Sequence, residues 1–277
     1  MFEEMADKVG YIIGGIVAVL GGGLLLASSA RKPKDDEPRK KPSLYDDFLP
    51  GDIPEGEGAS VEPDSSQPII NRIAEGQAKL AARTANDGTK RTRGTRPTGM
   101  SEVDGLVLHQ TGFSRGNAID RYDGITSHFV ILPNGQIIQL HPLDEYLYAS
   151  NNFNRYTVAV EFVGNFPNDK GNWWKGDKFG RNNLSQAQIN AGRWLVDYLR
   201  EEMPRLGSPG LNYVYAHRQS SASRGNDPGP DVWYNVGHWA AQKRGLPHTP
   251  TGDDDYTVGS GNPIKSSWKR PSNNKIA

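Results

Sequence analysis

The chain has 277 residues, 32 Lys+Arg against 32 Asp+Glu, a hydrophobic fraction of 35% and no cysteine. Disulfides, thiolate nucleophiles, iron–sulfur clusters and Cys-type zinc sites are therefore excluded, and the zero net charge argues against nucleic acid as a partner. A mean hydropathy of −0.66 excludes a polytopic membrane protein and implies that part of the chain packs no core.

Taken in chain order, the first feature is the uncharged, Gly/Ile/Val/Leu-rich run from Val9 to Ala30. It matches the roughly 20 apolar residues that span a bilayer, so a single transmembrane helix is expected over 9–30. A cleaved signal peptide ending near Ser28–Ala30 is the competing reading, but the leader carries Glu3, Glu4 and Asp7 against Lys8, and such peptides have a positive leader. Gly10 and Gly14 offer a close-packing face for self-association through this glycine-rich helix. Residues 31–98 are rich in proline and mixed charge and poor in bulky apolar residues, so a disordered linker is expected. Within it, Ile69–Ala85 has the make-up of a short helix. The residues from 249 to 277 read as a flexible tail.

Between them, residues 99–248 read as one folded domain. Gly105–Leu108 is a short buried strand. His128–Leu132 and Gln136–Leu140, separated by Pro133, Asn134 and Gly135, form a hairpin, since Asn-Gly between apolar runs is a strong hairpin signal. Thr157–Val163 is a further strand, ended by Gly164. A helix starts at Ser185, which forms a capping box with Gln188; Ala187, Ala191, Trp194, Leu195 and Tyr198 make its apolar stripe. Asn212–Tyr215 is a strand, and Pro230–Lys243 a last helix followed by Gly245. The expected fold is α/β, a mixed central sheet flanked by helices.

His109 and His217 each stand just past a strand, where side chains are presented at one rim of a sheet. Asp227 follows in Asn226–Asp227–Pro228–Gly229–Pro230, a rigid turn into a helix. Two imidazoles and a carboxylate with a fourth position left open make the usual catalytic zinc site. Taken singly, each has a bland reading: a histidine packed after a strand, or an aspartate that only caps a turn.

Together these residues carry a resemblance. Leu106–His109, Ser127–His128–Phe129 with Asn134–Gly135, Val158–Gly164 around Glu161, Ala216–His217–Arg218 and Asp227–Pro228–Gly229–Pro230 occur in the order found in zinc N-acetylmuramoyl-L-alanine amidases, which share a fold with peptidoglycan recognition proteins. The resemblance spans the folded domain but not the anchor, linker or tail. It implies that His109, His217 and Asp227 bind Zn²⁺, that Glu161 is the catalytic glutamate, and that peptidoglycan is the substrate, cut between N-acetylmuramic acid and L-alanine. A structural glutamate paired with an arginine is the other reading of Glu161. The sequence departs from the family in three places. Gly225 stands where the family often has an oxyanion-stabilising lysine, and Arg224 is the nearest replacement. Ser127 stands where a tyrosine is common, and Tyr148 where the family has a histidine after the hairpin. His128 reads as structural. Tyr148, Trp173 and Trp174 are candidates for lining a substrate groove, since sugar and peptide faces stack on aromatic rings.

Two functions follow. One is a membrane-anchored zinc amidase, of the kind used by phages in lysis or entry. The alternative is a non-catalytic peptidoglycan-binding module of a membrane or virion structural protein; the complete ligand set favours the enzyme. Localisation is expected at the membrane with the domain facing the cell wall, or in a phage particle. The basic residues Arg31, Lys32, Lys34, Arg39, Lys40 and Lys41 run against the first of these, because the positive-inside rule keeps such a flank cytoplasmic.

Overall fold

The computed structural model of the chain describes residues 69–248 and 261–277. The expected membrane helix at 9–30, its glycine face and the linker up to residue 68 lie outside the described residues, as do residues 249–260. Among the described residues, no helix is long and apolar enough to cross a membrane.

The sheet is built on β3 (Gly105–Gln110) and β7 (Thr157–Phe162), both buried at every position. Strands covered on both faces read as continuous apolar runs, as Leu106–Leu108 and Val158–Val160 do, while His109 and Glu161 follow those runs. They pair in parallel, with β8 (Tyr213–Ala216) on the far side of β3 and β4 (Phe129–Ile131) beside β7. β4 turns into β5 (Ile137–Gln139) through the expected hairpin, the only antiparallel pairing in the six-stranded order β1-β5-β4-β7-β3-β8. Gly135 takes φ 84° at the turn, a conformation that favours glycine. One face of the sheet is covered by α2 (Gln186–Arg205), which buries Ile189, Leu195, Val196 and Leu199 with Leu106, Leu108, Val158 and Val160. Side chains alternate along a strand, so His109 and Glu161 fall on the opposite face. The capping box holds as expected: Gln188 N donates to Ser185 Oγ at 3.0 Å, and Ser185 N to Gln188 Oε1 at 3.2 Å.

Three expectations are corrected. Residues 69–98, read as the end of the linker, are part of the domain. β1 (Ile70–Asn71) adds to β5 as an edge strand, α1 (Ile73–Asp87) follows, and β2 (Thr92–Thr95) pairs antiparallel with β6 (Glu145–Leu147). Few apolar residues announce this segment, because much of its attachment is polar. Buried Arg96 donates to the carbonyls of Asn154, Arg155 and Thr157 at 2.7–3.0 Å. Residues 261–277, read as flexible tail, pack on the domain, with Ile264 and fully buried Trp268 in the main core. The last helix is not uniform. α3 (Pro230–Val232) and α4 (Trp239–Arg244) flank a π-helical stretch, Trp233–His238, in which the buried Trp233 ring lies against Gly237.

Glu145, on β6, joins the added segment to the rest of the domain. Its carboxylate accepts from Gln77 Nε2 on α1 at 3.0 Å and from Thr92 Oγ1 on β2 at 2.8 Å, and lies 3.0 Å from His141 Nδ1. Burial pushes this carboxyl up, but the hydrogen bonds from His141, Gln77 and Thr92 outweigh it and bring the pKa down to about 2. A carboxyl depressed on folding contributes stability above its ordinary value of 4.5, and that contribution is lost as the pH falls towards 2. Glu145→Gln should therefore lower stability at pH 7 by about 1–3 kcal/mol and flatten the acid dependence between pH 5 and 2.5. Urea midpoints across that range check this; parallel profiles for the two proteins would contradict it.

Candidate metal centre

Strand register does most of the placement. In the β3–β7 pair His109 faces Glu161, and in the β3–β8 pair Leu108 faces Ala216, so His217 leaves β8 beside His109. After His217 the chain makes two short 3-10 turns, His217–Gln219 and Ala222–Arg224, and returns. Arg218 N donates to the Asp227 carbonyl at 2.9 Å, closing the loop. Gln110 N, one residue past His109, donates to Asp227 Oδ1 at 2.9 Å. Asp227 Oδ2 is left 2.9 Å from His217 Nδ1, which is itself 2.8 Å from His109 Nδ1. One ligand atom from each of the three residues lies within 4.8 Å of the others.

The surroundings are dry. His109, His217, Glu161 and Asp227 are each at most 4% exposed. Burial pushes both histidines well below the usual imidazole value; for His109 the neighbouring His217 adds to this, and for His217 the Arg224 charge does. Burial, then the charge of Asp227, pushes Glu161 well above the usual carboxylate value, with Arg224 opposing. Asp227 is also pushed up, by burial, against His109 and Arg224. A cation among these groups reverses that logic and favours carboxylates and neutral imidazoles.

The donor set fits such a cation. His217 Nδ1 holds at most one proton, and that proton cannot satisfy both His109 Nδ1 and Asp227 Oδ2. His109 turns its other nitrogen, Nε2, to Ser150 Oγ at 3.0 Å, the kind of outer contact that orients the ring of a metal-ligating histidine. His217 Nε2 and Glu161 Oε2 are buried without a hydrogen-bond partner.

The family model for N-acetylmuramoyl-L-alanine amidase matches residues 99–230, a span that holds all four of these side chains. Over residues 99–230 the domain belongs to the N-acetylmuramoyl-L-alanine amidase family.

Solved structures similar to this amidase domain include the N-acetylmuramoyl-L-alanine amidase LysC from Clostridium intestinale URNW, at 16% identity and TM-score 0.33, covering 47% of this chain and 78% of that one. The endolysin amidase LysCS from the same organism is similar at 14% identity and TM-score 0.36, covering 62% and 90%. Bumblebee PGRP-SA is similar at 14% identity and TM-score 0.43, covering 66% and 99%. No curated protein sequence matches significantly.

Of the residues singled out from sequence, the amidase fold brings His109, His217, Asp227 and Glu161 together, with half-buried Arg224 within electrostatic reach of all four. Tyr148 is half-buried two residues before Ser150, its hydroxyl 2.5 Å from Arg93 Nε. Trp174 lies over Gly112, three residues past His109; a Cβ on that glycine would be 3.4 Å from the indole. Trp173 is half-buried on the same loop, its backbone bridged to Pro167. His128 is structural: Ala159 N donates to its Nδ1 at 3.0 Å and its Nε2 lies 3.0 Å from the Glu145 carbonyl.

Three contributors went unread in the sequence. Ser150 supports His109. Gln110 ties the Asp227 loop down, its Nε2 donating to the Asn226 carbonyl at 2.5 Å and its Oε1 accepting from Phe166 N at 2.7 Å. Lys175, beside Trp174, adds a positive charge that acts on Asp227. Only Ser150 left a signal, through its place in Tyr148–Ala149–Ser150.

The full chain should bind one Zn²⁺ through this trio. His109→Ala, His217→Ala and Asp227→Ala should each lose more affinity than the roughly 10–100-fold that changes outside the ligand set cost. Metal analysis after gel filtration measures this; equal zinc in the wild type and all three variants would contradict the assignment.

Proposed function

We propose that the domain hydrolyses the amide between the lactyl group of N-acetylmuramic acid and L-alanine in peptidoglycan, with Zn²⁺ held by His109, His217 and Asp227. The observation that carries this reading is the convergence of His109 Nδ1, His217 Nδ1 and Asp227 Oδ2 beside Glu161, in a domain of the amidase family. Zinc, when bound in such a site, supplies Lewis acidity and brings the pKa of water towards about 7.

The chain's own residues divide the remaining work. Glu161, beside His109 and with Oε2 free of hydrogen bonds, takes a proton from the attacking water and delivers it to the leaving amine of L-alanine. Arg224 faces the same centre as a fixed positive charge and stabilises the oxyanion that forms on the scissile carbonyl. Tyr148 and Trp174 flank the centre and provide faces for sugar or peptide. A binding module has no use for an acid–base carboxylate beside a complete ligand trio, which favours the enzyme over the binder. The apolar run at 9–30 supports a membrane-tethered form of the enzyme.

Glu161→Gln is nearly isosteric and cannot shuttle a proton. It should keep its zinc and lose about 10²–10⁴-fold in turnover, measured by release of stem peptides from purified peptidoglycan. Arg224→Ala should lower turnover with little change in zinc content. Full activity in Glu161→Gln would remove the glutamate from the chemistry.

A further inference from the structure

Residues 261–277 lie beyond the segment that matches the amidase family, yet they grip both loops that carry His217 and Asp227. At the His217 loop, Asn262 N donates to the Arg218 carbonyl at 2.8 Å, and Arg218 Nε donates to the Pro263 carbonyl at 3.0 Å. The Arg218 guanidinium stacks 4.7 Å above the ring of buried Trp268. Gly261 lies so close to the chain that a Cβ there would run into the Gln219 carbonyl. Arg218 passes this grip on, since its N binds the Asp227 carbonyl and its Nη1 donates to the Gly225 carbonyl at 2.5 Å.

At the Asp227 loop the contact is Asp231, which is 2% exposed at the start of α3. Its carboxylate accepts from Ser272 Oγ and, at 2.9 Å, from Asn274 Nδ2. Further along, Ser267 Oγ donates to Asp169 at 2.8 Å, and the backbone of Ala277 bonds to Leu184 and Gln186 at 2.9 and 3.0 Å. The strap is thus held at both ends and in the middle. His109 stands apart on central β3, set by the sheet.

We infer that the strap 261–277 is a positioning element of the metal centre: it fixes His217 and Asp227 relative to His109 and thereby sets the affinity for the metal. This rests on the reading that the trio holds Zn²⁺. Groups that orient ligands from outside the coordination shell typically change metal affinity by about 10–100-fold when removed.

The test is zinc affinity of the full chain by chelator competition, with far-UV circular dichroism and urea unfolding of the metal-free forms alongside. Ser272→Ala/Asn274→Ala should bind zinc about 10–100-fold more weakly while keeping a native spectrum. Ser272→Thr, which retains the hydroxyl, should bind like wild type. A chain ending at residue 260 should bind at least as weakly as the double variant; if that chain does not fold, the double variant decides. A purely structural strap would shift the unfolding midpoint and leave the affinity of the folded molecules unchanged, and wild-type affinity in a folded double variant overturns the proposal. His109→Ala separates the two claims. If wild type fails to bind zinc, or His109→Ala binds it equally, the metal reading itself falls, whatever the strap does.

Discussion

Two imidazole nitrogens and a carboxylate oxygen converge at buried positions, where His217 Nδ1 has one hydrogen-bonding position to share between two neighbours. His217 Nδ1 is the crowded atom, 2.8 Å from His109 Nδ1 and 2.9 Å from Asp227 Oδ2. Burying polar groups without full partners is costly, and here burial also pushes the histidines and the acids towards their neutral forms. A divalent cation relieves both problems at once: it meets all three lone pairs and makes the ionised carboxylates favourable. Much of the fold can be understood as the means of holding these atoms together in spite of their mutual cost.

The support comes in layers of decreasing sequence locality. The parallel register of β3 with β7 and β8 puts Glu161 and His217 beside His109, and the hydrophobic seam under α2 keeps that register from slipping. Asp227 arrives on a loop and needs other ties: Gln110 from the strand, Arg218 from the start of the loop, and through Asp231 and Arg218 the strap at 261–277. Strand register sets His109, while the loop ties set Asp227, so the strap inferred above acts on metal affinity from the loop side. The amidase chemistry proposed above then needs only a proton carrier and a positive charge near the carbonyl, the roles the proposal gives to Glu161 and Arg224.

What could be read from sequence followed the strength of local signals. The period-two and continuous apolar runs marked β3, β4, β5, β7 and β8 to within two residues, and Ser185 with Gln188 marked the start of α2, because pattern and capping are set by neighbours in the chain. The convergence of His109, His217 and Asp227 was legible because strand ends and the Asp-Pro-Gly-Pro turn carry a motif, and Glu161 was singled out by the resemblance of its strand. The attachment of residues 69–98 was not, since it rests on charged and hydroxyl groups such as Arg96, Gln77 and Thr92, whose partners are distant and whose composition resembles a linker. The strap was missed for the same reason: a Gly/Ser/Asn/Pro-rich segment hides one decisive residue, Trp268, and its polar contacts to the rest of the domain span 40 to 106 positions. Tertiary polar contacts leave no periodicity in the sequence.

Metal-dependent cleavage at one bond is tested most directly by digestion of purified peptidoglycan with the full chain, with products read by mass spectrometry. New L-alanine amino termini on released stem peptides and intact glycan strands are expected, with cleavage stopped by a chelator and restored by Zn²⁺. Cuts within the glycan or inside the stem peptide, or the same yield of L-alanine termini with and without chelator, would contradict it.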